Sequence, residues 1–150
     1  MGGKPSHGLL RVAFMTMFAA ASVACSPPPG EDALRQQIVA LEAAVEAGEG
    51  QAVLGLVTDD FAGPGGMDRE GLRRYMAALR LGQRKVEAVV GPLEVELHGG
   101  RAAVRADVAV AGLDRFSPDN ASVRRLDSTW RLVDGEWRLA AADWQRPTVR

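Results

Sequence analysis

Ser128-Thr-Trp-Arg-Leu-Val-Asp-Gly-Glu-Trp-Arg-Leu-Ala-Ala-Ala-Asp-Trp144 is the stretch from which the fold can be read. Apolar and polar residues alternate on both sides of Asp134-Gly135, a dipeptide that tolerates the two positive φ angles of a tight hairpin turn, so a β-hairpin is expected here. A two-residue turn at that point pairs Leu132 with Trp137, Trp130 with Leu139, Ser128 with Ala141 and Leu126 with Asp143. The first two pairs form a large apolar patch on one face, and the next two carry that face to a small and then a polar end, with Asp143 inward. Arg125, Arg131, Arg138 and Trp144 fall on the other face. Arg131 lies directly across from Arg138, which costs stability unless carboxylates answer the two charges.

Upstream, a polar loop over residues 113–121 separates this hairpin from a second one. Its turn is His98-Gly99-Gly100-Arg101, which sets Leu97 opposite Ala102, Val95 opposite Val104 and Leu93 opposite Ala106, with Glu94 facing Arg105 as an ion pair. Residues 85–90 and 93–98 read as extended segments broken at Gly91-Pro92. Before them the period changes from 2 to 3.6. Asp68 caps a helix over 69–81 whose apolar face is Leu72, Tyr75, Met76 and Leu79. Gly63-Pro64-Gly65-Gly66 is a loop, and a short helix over 51–57 is closed by Thr58-Asp59-Asp60-Phe61. From Asp32, Leu34, Ile38, Leu41 and Val45 recur at helical spacing until Gly48, with Arg35, Glu42 and Glu46 on other faces.

Three helices followed by about four long strands predict an α+β domain with the helices on one face of a curved, mainly antiparallel sheet. This order of elements resembles the nuclear transport factor 2-like superfamily and its polyketide-cyclase, SnoaL-like branch. The residues that carry the likeness are Val45-Glu46-Ala47-Gly48-Glu49 between the first two helices, Leu56-Val57-Thr58-Asp59-Asp60-Phe61 after the second, and the hairpin 128–144; it covers about residues 32–146. The resemblance implies a cone whose sheet curls around a pocket roofed by helices. It implies no activity, because enzymes, binding modules and assembly domains share such folds.

The N-terminus carries a different message. Lys4, His7 and Arg11 precede an apolar run over 12–21 that is too short for a membrane-spanning helix, and Ser22-Val23-Ala24-Cys25 follows it. These residues resemble the lipobox of bacterial lipoproteins. That resemblance implies cleavage between Ala24 and Cys25, a diacylglyceryl group on the Cys25 thiol and a further acyl chain, such as palmitate, on the new amino terminus; two or more chains hold a protein on a membrane lastingly. Ser26 in place of an aspartate implies the outer membrane, with the domain facing the periplasm. The expected organisation is a signal peptide over 1–24, a lipidated cysteine and Pro-rich tether over 25–31 and one domain over 32–150. Loss of the leader removes Lys4 and Arg11 and no acid, which takes the formal charge from −1 to −3. No nucleic-acid partner is expected of such a chain.

Candidate chemistry is sparse. In the ketosteroid-isomerase branch of the superfamily an aspartate base works with a tyrosine and a protonated acid, which points to Asp143 and Tyr75 as an acid/base pair of an isomerase, cyclase or hydrolase. Asp59-Asp60 is a weaker pair, expected to cap or face water. With His7 in the leader, His98 stands alone, so neither a metal nor another cofactor is expected. Asn120-Ala121-Ser122 matches a glycosylation acceptor. Trp130 and Trp137, with Tyr75 and Asp143, make the candidate pocket. The leading expectation is a non-catalytic envelope lipoprotein that binds an apolar small molecule or a protein partner there, and a homodimer through the outer sheet face is a third reading.

Overall fold

The computed structural model describes residues 29–82, 85, 87–111 and 122–145. Cys25, the residues before Pro29 and the Asn120 acceptor lie outside the described residues. Helix α1 (Glu31–Glu46) buries Leu34, Ile38 and Ala44, and α2 (Gly50–Gly55) buries Val53 and Leu54. Helix α3 (Arg69–Leu81) is capped by Asp68, whose carboxylate accepts from the Gly71 N–H at 2.7 Å, and buries Met76 and Leu79. Tyr75 is not part of that buried stripe; its side chain is exposed.

Among the described residues six strands form one sheet in the order β1-β6-β5-β4-β2, with β3 also on β4. They are β1 (Val57–Ala62), β2 (Glu87–Val90), β3 (Glu94–His98), β4 (Arg101–Ala111), β5 (Ser122–Val133) and β6 (Glu136–Gln145). All pairs are antiparallel except β1 with β6. Thr58-Asp59-Asp60-Phe61, expected only to close the second helix, lies within strand β1. The long β4 carries β3 along its first half and β2 along its second. The break between them sits at Gly91, whose N–H donates to the Asp107 carbonyl at 2.8 Å, and a Cβ there would stand 3.0 Å from that oxygen.

Both hairpin registers hold near their turns. Asp134 (φ 53°) and Gly135 (φ 80°) take the expected positive angles, and Leu132 faces Trp137 while Trp130 faces Leu139. Beyond that point the expectation fails. Thr129 pairs with Ala141 rather than Ala140, so Ala140 is the extra residue of a β-bulge, and Ser128 and Leu126 face Ala142 and Trp144. Trp144 therefore packs inward against the core and Asp143 stands on the exposed outer face, the reverse of the expected placement. Arg105 does stand opposite Glu94 as expected, but its ion pairs are with Glu96 at 3.2 Å and Asp127 at 3.7 Å.

The helices cover the inner face of the sheet. Leu34, Val57, Trp130 and Trp137 centre one buried cluster near the hairpin turns, and Val53, Met76, Ala106 and Val108 centre a second one.

Candidate functional site

Between the two clusters the inner face stands off from α1. Ile38, Leu41 and Glu42 look across at Leu93, Ala106, Leu126 and Ala142 and line a partly open cavity of about 90 Å³ whose lining is almost wholly apolar. Ser128 lines it too, but its hydroxyl is engaged: it accepts from the Trp130 indole N–H at 3.2 Å and donates to the Val104 carbonyl at 3.2 Å. One oxygen of the Glu42 carboxyl is not: Oε1 is buried without a hydrogen-bond partner among the described residues. Burial pushes this carboxyl above the usual glutamate range, and the Glu46 carboxylate one turn along α1 adds to the effect.

Glu42 was expected off the buried stripe of its helix. It follows Leu41 and lies four residues after Ile38, at the edge of the stripe, and the curvature of the sheet opens space above that edge. A raised carboxylate pKa has a testable consequence. The folded chain keeps the proton to a higher pH than the unfolded chain, so this group's contribution to stability falls as pH rises from about the ordinary value of 4.5 through the folded value. Glu42→Gln should flatten that part of the profile and raise stability at neutral pH, by less than about 1 kcal/mol because solvent screens part of the effect. Urea midpoints at acid and neutral pH check this; an unchanged slope contradicts it.

The structure does not assemble the expected acid/base pair. Asp143 lies on the outer face, whereas Tyr75 sits on α3, on the other side of the sheet and away from the cavity lining. Trp130 reaches the cavity, and Trp137, 1% exposed, is core beside it. Asp59 and Asp60 are strand residues facing out: Asp59 is 3.8 Å from Arg69, and the hydrogen-bonded Arg131 guanidinium holds the Asp60 carboxyl below its usual range. Arg138 is answered by Glu136 at 3.7 Å. Among the described residues no group of three or more His, Cys, Asp or Glu side chains could hold a metal ion.

A second hollow, about 580 Å³ and open, lies on the outer face. Three rows of side chains cross the sheet there. His98, Arg101, Arg131 and Arg138 form a basic row; Ala103, Thr129 and Ala141 form a row of small residues that ends in Glu96 on β3; Glu94, Arg105, Asp127 and Asp143 form a row that is mainly acidic.

No protein-family model matches the chain, and no relative is found among curated proteins. Solved structures do match. A Novosphingobium aromaticivorans protein provisionally assigned as a scytalone dehydratase is similar over 76% of this chain and 81% of its own length, with a TM-score of 0.66 and 14% identity. An NTF2-like protein with a cystatin-like fold from the same species matches over 79% and 82% (TM-score 0.65, 17% identity). The chain has the nuclear transport factor 2-like fold. A Cytophaga hutchinsonii protein of the NTF2-like group also shares it, over 78% of this chain and 98% of that one (TM-score 0.63, 18% identity). At such identities the likeness is of the fold alone.

Proposed function

We propose that this chain is a lipid-anchored binding protein of the bacterial cell envelope, on the outer membrane facing the periplasm, whose cone takes up a small, mainly apolar molecule or the apolar tip of a longer one. The supporting observation is the apolar cavity with one unpartnered carboxyl oxygen, Glu42 Oε1. A carboxyl shifted toward its protonated form can donate a hydrogen bond to a carbonyl or ether oxygen. Pockets for drug-sized ligands run to about 300–1,000 Å³, and a cavity of about 150 Å³ holds benzene. A space of about 90 Å³ thus suits a group of a few heavy atoms. Among the described residues Glu42 is the one ionisable side chain of the cavity lining, which favours binding over acid/base catalysis, where a second proton-transfer group is ordinarily needed.

Ala106, buried in the cavity wall, offers the test. Ala106→Leu fills the space with apolar volume. Native mass spectrometry of the purified protein should find a small molecule retained by the parent and lost, at least tenfold, by the variant, with the fold kept by circular dichroism. Equal retention by both proteins places binding elsewhere.

The outer face supports a second reading, a homodimer. Alternate residues on a strand are about 6.8 Å apart, so the basic and acidic rows are separated by about 14 Å with the small row between them. A two-fold axis along Ala103, Thr129 and Ala141 would lay each copy's basic row on the other's acidic row, a self-complementary pattern; the small side chains would let the sheets approach closely there, and Glu96 at the end of that row would bring its own counter-charge, Arg105 at 3.2 Å. Thr129→Arg should then convert a particle of twice the chain mass to one of single mass in sedimentation equilibrium. A parent protein of single mass rules the dimer out.

A further inference from the structure

The indole N–H of Trp137 donates to the Pro29 carbonyl at 3.1 Å, so the chain just before α1 is pinned to the end of the domain that carries the hairpin turns. Trp137 faces Leu132, one pair from the Asp134-Gly135 turn. The β3–β4 turn lies beside it, with the Leu132 N–H donating to the Gly100 carbonyl at 2.9 Å. One end of the domain thus holds both turns and the point where the tether leaves.

We infer that this end rests on the phospholipid headgroup layer of the bilayer that holds the Cys25 lipid. The inference rests on the anchor reading above. Four peptide links separate Cys25 from Pro29, and four fully extended links span at most about 14 Å. The acyl chains begin on Cys25 itself, which therefore lies within the interfacial zone, and that zone occupies roughly 5–7 Å of the span. Less than about 10 Å remains between headgroups and Pro29. The domain cannot turn over within that distance, because β4 alone, with 11 residues, sets its two ends about 34 Å apart. Arg101, Arg131 and Arg138 at this end, with His98 beside them, stand against five carboxylates, Glu31, Asp32, Asp60, Asp134 and Glu136, so the end has no basic excess to draw it to anionic lipid. Tether length rather than lipid charge therefore sets the contact, and phosphatidylcholine, which has no net charge, suffices. The far end, with Leu81 and Glu87, points into the compartment.

The test uses the full chain in its lipidated form. His98→Cys near the turns and Glu87→Cys at the far end each introduce one thiol for a fluorophore, since the Cys25 sulfur is taken up by the lipid. In phosphatidylcholine vesicles with a headgroup-attached quencher, the label at 98 should be quenched several-fold more than the label at 87. A 12-residue Gly/Ser segment inserted between Ser26 and Pro27 adds a reach of roughly 19 Å and should abolish the difference. Equal quenching on the native tether, or a difference that survives the insertion, overturns the docking. The mass of each sample reads the lipid separately. A mass without it removes the anchor reading and the docking with it; a lipidated protein with equal quenching removes the docking alone.

Discussion

Trp137→Ala is expected to destabilise the domain by about 3–5 kcal/mol, the cost of emptying a buried aromatic site. The side chain is 1% exposed and belongs to the same cluster as Leu34, Val57 and Phe61, so the packing of β6 with α1 and β1 is weakened together. Domains of this size hold about 5–15 kcal/mol in total. With a urea dependence of about 2 kcal/mol per molar, the midpoint should fall by roughly 2 M. Trp137→Phe separates packing from polarity: it keeps a ring in the site but leaves the Pro29 carbonyl without its donor, and should cost nearer 1 kcal/mol. A midpoint shift below about 0.5 M for the alanine variant would show that the cluster repacks around the space.

Cys25→Ala is expected to move the protein from the membrane to the soluble fraction with the domain still folded. One myristoyl chain gives only marginal, reversible membrane binding, and further chains add about 0.8 kcal/mol per buried CH₂, so loss of all of them lowers membrane affinity by many orders of magnitude. The fold should not notice, because α1 begins at Glu31, six residues further on. Fractionation of cells with urea melts of the released protein checks both halves. A variant that stays in the membrane pellet would show that something other than a lipid on Cys25 holds it there.

What could be read from the sequence was what local chemistry dictates. Asp134-Gly135 specifies its turn whatever surrounds it, Asp68 caps the helix it precedes, and periodicity marks the stripe of α1. Strand β1 lay beyond such reasoning. Its burial does not alternate, Val57 and Thr58 being buried together, and its partner β6 lies some eighty residues away. The site was half legible. Trp130 and Trp137 were found because large apolar residues opposite one another declare a core. Glu42 was missed because a position at the edge of a helical stripe becomes internal only when the facing sheet curves away from it. Asp143 was misplaced because Ala140, Ala141 and Ala142 are alike, and nothing in three identical side chains marks the one left out of the ladder.

That alanine run has a consequence for how variants of the last strand are interpreted. Sidedness along a strand is a matter of parity, and the bulge changes the parity of every residue after it. Whether the protein immerses an aspartate or a tryptophan is decided by neither residue but by a methyl-bearing neighbour upstream of both. An alanine scan passes over Ala140 in silence, since it is alanine already. Its influence would surface only in insertions and deletions, where a change of one residue between Leu139 and Asp143 tests the numbering of the strand rather than the chemistry of any side chain.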